Sequence, residues 1–81
     1  MKETIKKFLC ELRWLEPDEI DHDTTLISSG LIDSLDLIEL VGFLEQNFSI
    51  TISPGELVAE NFESINKIEA FVNKKQRENN E

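Results

Sequence analysis

The spacing of apolar residues predicts helices at two places in the first half of the chain. Apolar residues that recur at i, i+3, i+4 and i+7 lie on one face of a helix. In residues 4–15 these positions hold Ile5, Phe8, Leu9 and Leu12. In residues 34–48 the apolar stripe consists of Leu37, Leu40, Val41, Leu44 and Phe48. Both segments are therefore predicted to bury one helical face, and Pro17 is expected to end the first helix.

A third helix is predicted from a capping pattern. Ser53 suits the N-cap position, Pro54 suits the first helical position, and Glu56 completes a capping box. Residues 61–64 look like another break in the pattern. The third helix is therefore expected to be short.

The last predicted helix begins after Ser64, a residue that caps helices well. Ile65, Ile68 and Val72 share one of its faces. Residues 74–81 are wholly polar, so this tail is expected to fray.

Residues 16–33 form a long, acidic connection with no regular pattern. A loop of this length in a small domain is usually functional or disordered. Apolar residues recur within it: Ile20, Leu26, Ile27 and Leu31. They favour a loop pinned to the core, with a turn at Gly30. The expected fold is all-α, a four-helix bundle with a short third helix and a long first loop, in a single domain of residues 1–81.

The distribution of charged residues along the chain says more about possible partners than the net charge does. The formal net charge is -9, and every lysine and arginine lies at or before Arg13 or at or after Lys67. Between Trp14 and Asn66 there are twelve carboxylates and no basic side chain. A field of one sign argues against nucleic acid and anionic membrane as partners, and it favours basic protein surfaces. A solvated acidic surface that only maintains solubility is the alternative.

The chain is 81 residues long and has one cysteine, Cys10, so no internal disulfide can form. It has no apolar run long enough to span a membrane. Its N-terminus lacks the apolar stretch of a secretion signal. A cytoplasmic monomer is expected.

Catalysis and specific metal binding have little support in the sequence. His22 is the only histidine and has no evident nucleophile to serve, and no pattern forces two carboxylates together in a dry site. Residues 21–25 begin like an EF-hand loop. Leu26 then occupies the glycine position and Ile32 the position of the bidentate glutamate. The sequence therefore predicts neither an enzyme nor a metal site.

The second helix has an apolar feature opposite its core stripe. Leu35 and Ile38 lie on that side, and the residues around them are Asp36, Glu39, Gly42 and Glu45. An apolar pair ringed by acids is typical of a docking surface, because the pair gives a dry centre and the carboxylates attract a basic partner. Scattered exposed apolar residues are also common in soluble proteins.

Ser34 stands at the start of this helix and permits two interpretations. Either Asp33 or Ser34 can act as the N-cap. A phosphate ester on Ser34 is the other possibility, since a helix N-terminus offers unpaired N–H groups and the positive end of the helix dipole.

The chain around Ser34 reads Asp33-Ser34-Leu35-Asp36-Leu37-Ile38-Glu39-Leu40. This run resembles the attachment motif of acyl carrier proteins, an Asp-Ser-Leu at a helix start that continues Asp-x-x-Glu-Leu. Further matches are Thr25-Leu26, Gly30, Leu44-Glu45, Phe48, Ile52, Phe62, Ile65 and Ile68. The resemblance covers roughly residues 5–73.

The resemblance implies a four-helix carrier that holds acyl or aminoacyl groups as thioesters. A phosphopantetheinyl transferase would move 4'-phosphopantetheine from coenzyme A to Ser34, with Asp33 and Asp36 beside the incoming phosphate. Loading and processing enzymes with basic docking surfaces would then bind the second helix. The residues implied for that contact are Leu35, Ile38, Glu39, Gly42, Glu45, Glu56 and Glu60.

Two residues depart from the pattern of fatty-acid carriers. Those proteins usually have a larger apolar residue where Gly42 stands and a small one where Phe43 stands. This difference favours a specialised standalone carrier, for a secondary-metabolite or aminoacyl group. An acidic helical adaptor without a prosthetic group, in which Ser34 is only a cap or a phosphorylation site, is the alternative.

Overall fold

The computed structural model of the chain describes residues 1–79 and contains four α-helices in that range. They are α1 (Lys2–Arg13), α2 (Ser34–Phe48), α3 (Ala59–Phe62) and α4 (Ile65–Asn79), with short 3₁₀ turns at Pro17–Glu19 and Pro54–Glu56. No strand occurs among these residues. The predicted all-α bundle, with a short third helix and a long first loop, is confirmed.

The core combines buried faces of all four helices with apolar residues of the connections. Its members are Ile5, Leu9, Ile20, Leu26, Ile32, Leu40, Leu44, Ile50, Ile52, Phe62, Ile65, Ile68, Phe71 and Val72. The rings of Phe62 and Phe71 lie 5.4 Å apart between centroids and join α3 to α4. The half-buried rings of Phe8 and Phe43 stack at 4.2 Å and join α1 to α2. Aromatic pairs of this kind add stability beyond the area they bury.

The first helix ends earlier than the sequence predicts. It stops at Arg13 because Trp14 adopts the left-handed conformation, with φ 58°. The N–H groups of Trp14 and Leu15 both donate to the Cys10 carbonyl, at 2.9 Å for Leu15, and so close the helix before Pro17 could. The Trp14 side chain is 94% exposed.

The long loop is ordered by hydrogen bonds to the segment between α3 and α4. The Leu26 N–H donates to the Glu63 carbonyl at 2.7 Å, and the Asn66 N–H donates to the His22 carbonyl at 3.1 Å. The Ser28 hydroxyl donates to the Glu63 carboxylate at 2.6 Å. The predicted pinning of the loop is confirmed, and polar contacts contribute to it as well as apolar ones.

A tight turn connects the long loop to the start of α2. Gly30 has φ 78°, a region that glycine enters at little cost, and its N–H donates to the Ile27 carbonyl at 3.0 Å. The Ile32 N–H then donates to the Leu26 carbonyl at 2.9 Å, and the Ile32 side chain is buried. Ile32 is an anchor that the sequence interpretation missed, and it stands directly before Asp33.

The third helical region differs from the prediction. The capping pattern at Ser53 is present, because the Ser53 N–H donates to the Glu56 carboxylate at 3.0 Å, but it begins only a 3₁₀ turn. The α-helix starts at Ala59 and runs through Phe62, two residues into the predicted break. Complete burial of the Phe62 ring explains why this helix continues.

The last helix begins where predicted and ends later. The Lys67 N–H donates to the Ser64 hydroxyl at 3.1 Å, which confirms Ser64 as the cap. The helix continues to Asn79, so the described part of the predicted tail is helical; residues 80 and 81 lie outside the described residues. Lys75 explains the difference, because its ammonium group lies 2.9 Å from the carboxylate of Glu56.

We predict that Leu44→Ala lowers the free energy of unfolding by about 2–5 kcal/mol, because it removes most of a fully buried side chain and leaves a cavity in the core. Urea denaturation followed by far-ultraviolet circular dichroism measures the change. Leu35→Ala, at a position that is 73% exposed, is the matched control and should cost less than about 0.5 kcal/mol. Equal losses in the two variants would contradict the described core.

We predict that the Glu63 contact makes stability depend on pH in the acid range. The hydroxyl and N–H of Ser28 hold the pKa of Glu63 below its ordinary value of 4.5. A depressed carboxyl pKa stabilises the fold above the ordinary value, and this contribution disappears as the pH falls below about 4.5 and through the folded pKa.

The variant Glu63→Gln tests this prediction, because it keeps the shape of the side chain and removes its ionisation. Its melting temperature should be lower than that of the wild type at pH 7. The difference between the two proteins should shrink at pH 3. A constant difference across this range would show that ionisation of Glu63 does not matter.

Candidate functional site

The start of α2 is fixed by a reciprocal pair of hydrogen bonds. Asp33 is the N-cap, and its carboxylate accepts from the Asp36 N–H at 3.0 Å. The Asp36 carboxylate accepts in return from the Asp33 N–H at 3.1 Å. Two N–H groups that would otherwise lack a partner are thereby satisfied. The choice left open by the sequence is settled: Asp33 is the cap and Ser34 is the first residue of the helix.

An ion pair attaches this helix start to the end of α1. Arg13 places one guanidinium nitrogen 3.2 Å from the Asp36 carboxylate, whose side chain is only 12% exposed. Asp36 was expected on the exposed acidic ring beside Ser34. The structure instead turns it inward, because its carboxylate serves both the cap and Arg13.

The neighbouring Asp33 carboxylate remains exposed and favours its charged form. Its hydrogen bond from the Asp36 N–H is the main cause that lowers its pKa, with smaller contributions from the Leu35 N–H and from the positive charge of Arg13. The start of α2 therefore presents one exposed carboxylate and keeps a second one inside.

Ser34 is exposed at the first position of α2. Its hydroxyl takes part in none of the hydrogen bonds of residues 1–79, so no structural contact requires it. The helix N-terminus places partial positive charge at this point. A phosphodiester on this hydroxyl would be favoured by that charge and would project into solvent.

The predicted docking face is exposed along α2. Leu35 is 73% exposed and Ile38 is 62% exposed, and both Glu39 and Gly42 are also exposed. Glu60 is exposed on α3. These five residues are available to a partner; together we call them the docking face.

Two of the glutamates predicted for partner contacts, Glu45 and Glu56, are partly exposed and also make contacts within the fold. The Glu45 carboxylate accepts from the Ile52 N–H at 2.9 Å. Glu56 receives hydrogen bonds from Ser53 and pairs with Lys75, which together keep its pKa low. Both side chains stabilise the connection between α2 and α3.

Comparison with known proteins gives the same family as the attachment motif. The family described as "Phosphopantetheine attachment site" matches residues 3–72. The D-alanyl carrier protein of Lactococcus lactis subsp. lactis strain IL1403 is 34% identical over 79 residues, which cover 98% of this chain and 100% of that protein. This chain belongs to the phosphopantetheine-attachment family of carrier proteins.

A second relative has a different name, acyl carrier protein. The acyl carrier protein of Buchnera aphidicola subsp. Acyrthosiphon pisum strain Tuc7 is 36% identical over 75 residues, covering 93% of this chain and 91% of that protein. The predicted family, carrier function and 4'-phosphopantetheine cofactor are confirmed. Carrier proteins work with the enzymes that modify and process them.

Three exposed features of the carrier were missed by sequence reasoning. Leu57 and Val58 are 37% and 46% exposed between the 3₁₀ turn and α3. A signal existed, since this apolar pair belongs to no helical stripe. The third feature is Arg13, whose place beside α2 depends on how the two helices dock and has no local signal.

Outside the start of α2, Cys10 is a further residue with a nucleophilic side chain. It lies with Leu15 and Pro17 beside a surface groove of about 490 Å³ that runs along α1. Partial burial raises the pKa of the Cys10 thiol, which disfavours the reactive thiolate. Within residues 1–79 no cluster of His, Cys, Asp and Glu side chains could hold a metal ion, and no helix there is long and apolar enough to cross a membrane.

We predict that Asp33 and Ser34 differ in their importance for folding. Asp33→Ala removes the cap and should lower the melting temperature by about 5 °C, the shift expected for one lost N-cap in a domain of this size. Ser34→Ala should leave it nearly unchanged, since the Ser34 hydroxyl has no partner. Thermal unfolding followed by circular dichroism measures both. A larger loss for Ser34→Ala than for Asp33→Ala would contradict the assignment of the cap.

Proposed function

We propose that Ser34 is the attachment residue and that a phosphopantetheinyl transferase moves 4'-phosphopantetheine onto it from coenzyme A. The supporting observation is an exposed hydroxyl without a hydrogen-bond partner at the first position of a helix capped by its neighbour. When bound, the group supplies a terminal thiol that holds cargo as a thioester. The protein then presents that cargo to successive enzymes.

The two aspartates near Ser34, Asp33 and Asp36, have different roles in this proposal. Asp33 presents an exposed, charged carboxylate beside the hydroxyl, where the transferase brings in its phosphate donor. Asp36 acts from inside, by holding the Asp33 backbone and Arg13. The partial positive charge of the helix end favours the phosphodiester after transfer.

Partner enzymes bind, in this proposal, to the docking face. Its apolar pair, Leu35 and Ile38, supplies the dry centre of the contact, and Glu39 and Glu60 attract basic side chains. The partners are loading and processing enzymes with basic docking surfaces. Nucleic acid and membranes are not among the proposed partners. The protein acts as a cytoplasmic monomer, and residues 1–81 form one carrier domain.

The names of the relatives indicate the class of cargo. One relative is a D-alanyl carrier protein and another is an acyl carrier protein. We therefore propose an aminoacyl or acyl group as the cargo of this chain. Gly42 and Phe43, where the sequence departs from fatty-acid carriers, favour a specialised pathway.

We predict that the wild-type protein gains the mass of one phosphopantetheinyl group when it is incubated with coenzyme A, magnesium and a broad-specificity phosphopantetheinyl transferase. Ser34→Ala should gain no mass, because it lacks the acceptor hydroxyl. Intact-protein mass spectrometry measures both.

The control is Ser29→Ala, which removes another exposed serine from the loop before α2 and should load fully. Circular dichroism should confirm that each variant is folded. No mass increment on the folded wild type would contradict the carrier proposal. An increment on Ser34→Ala would place the attachment elsewhere.

A further inference from the structure

A surface groove follows α1 to its C-terminal end. It consists of two adjoining depressions of about 490 and 350 Å³. Cys10, Glu11 and Leu15 line both depressions, so the two are continuous, and Trp14 lines the second. These residues belong to α1 and to the connection that follows it, so the groove is separate from the docking face on α2 and α3.

Trp14 lies beside this groove without contributing apolar burial to the fold. Its side chain is 94% exposed, whereas that of Leu35 in the docking face is 73% exposed. Its φ of 58° lies in the left-handed region, which is unfavourable for residues with a Cβ atom and is usually occupied by glycine or asparagine at a helix end. An exposed indole at such a position is typical of a contact surface, because it offers a large apolar area and one N–H donor.

Two contacts connect the start of α2 to this end of α1. The Asp36 carboxylate lies 3.2 Å from the Arg13 guanidinium and 3.1 Å from the Asp33 nitrogen, and Ser34 is the next residue. Trp14 directly follows Arg13. A 4'-phosphopantetheine arm extends about 14 bonded atoms beyond the Ser34 oxygen, which is roughly the length of five residues, or 16 Å. The end of α1 therefore lies within reach of an arm on Ser34.

The chemistry of the groove suits the arm better than it suits a protein partner. Charged residues of both signs line it, so it has no field that would select an acidic or a basic protein surface. These residues are Glu3, Lys6, Lys7, Glu11 and Glu16. The arm is neutral beyond its phosphate and alternates apolar segments with two amide groups. Leu15, Pro17 and the Trp14 indole can cover the apolar segments, and the charged side chains can bond with the amides.

We propose that the groove along α1 is a resting site for the phosphopantetheine arm, which the Trp14 indole covers where the arm passes the end of the helix. The inference rests on the proposed function, since it requires an arm on Ser34. A short tether gives an effective concentration of the order of millimolar, so an intrinsic Kd of about 1 mM keeps the arm in the groove about half of the time. The arm is then shielded between visits to enzymes and is still released easily.

The first test measures how fast Cys10 reacts with iodoacetamide. Wild-type protein is modified with acetyl coenzyme A, magnesium and a broad-specificity phosphopantetheinyl transferase, so that the arm ends in an acetyl thioester. Cys10 is then the only free thiol, because the chain has a single cysteine. Intact-protein mass spectrometry follows the alkylation. We expect the rate to be roughly twofold lower than in the unmodified protein, which is the change for an arm that covers the groove about half of the time.

The second test uses a variant that keeps the fold. Trp14→Asn removes the exposed indole and places a residue that tolerates the left-handed conformation at the helix end. Leu57→Asn is the matched control, because it removes an exposed apolar side chain from the connection before α3. Each variant is compared with its own unmodified form. The acetylated arm should no longer slow the alkylation of Cys10 in Trp14→Asn, and it should slow it as in the wild type in Leu57→Asn.

Nuclear magnetic resonance locates the arm without any variant. The wild type has one indole N–H signal, because Trp14 is its only tryptophan. This signal and the amide signals of Cys10 and Glu11 should shift when the arm is attached. Shifts confined to the first turn of α2 would overturn the resting site.

Different outcomes would overturn different claims. A wild-type protein that gains the mass of the arm but shows unchanged alkylation of Cys10 would overturn the resting site and leave the attachment at Ser34 intact. Equal slowing in Trp14→Asn and the wild type would overturn the role of the indole. Alkylation that slows with rising concentration of the unmodified protein would assign the groove to a second copy of the chain. A folded wild-type protein that gains no mass would overturn the proposed function, and this inference with it.

Discussion

The position of Ser34 depends on one contact, in which Arg13 at the end of α1 meets Asp36 in the first turn of α2. A carboxylate with so little exposure needs a charged or hydrogen-bonding partner, because an unpaired charge inside a protein is strongly destabilising. Asp36 has both kinds of partner, because it pairs with Arg13 and also accepts a hydrogen bond from the Asp33 N–H. The first turn of α2 is thereby attached to the neighbouring helix. Ser34, the proposed attachment residue, therefore needs no side-chain bonds of its own to be held in place.

The acidic side chains of the chain have two different uses. Glu45, Glu56 and Glu63 accept hydrogen bonds from the connections that flank α2 and α3, and they hold these irregular segments to the helices. Glu39 and Glu60 remain exposed. The acidic segment therefore contributes to the fold as well as to the surface. Within residues 1–79, only Asp36 and Glu56 among its carboxylates are paired with basic side chains, Arg13 and Lys75, and the other carboxylates keep their charge.

The sequence predicts those parts of the fold that have local causes. The bounds of α2 were predicted correctly because a cap residue and an apolar stripe both occur in the chain, and Ser64 was recognised as a cap for the same reason. The left-handed end at Trp14 could not be predicted, since a large aromatic residue carries no signal for that conformation. The helical end of α4 depends on Lys75 and Glu56, which are distant in sequence.

The candidate site was predicted in part for similar physical reasons. The exposure of Leu35 and Ile38 follows from the helical period, because the core stripe leaves them on the opposite side. Asp36 lies at the edge between the two faces, where periodicity does not decide which way a side chain turns. Its inward orientation is decided by Arg13, whose position becomes known only when the two helices are placed together.

The exposed Trp14 has a consequence for how this protein can be observed. It is the only tryptophan, and the chain has no tyrosine, so a single indole dominates the fluorescence. That indole is already in water in the folded state. Its emission should therefore change little on unfolding. Its emission would instead change when a molecule covers the end of α1. Trp14 is therefore an intrinsic fluorescence probe of association at this end of the helix, next to Arg13.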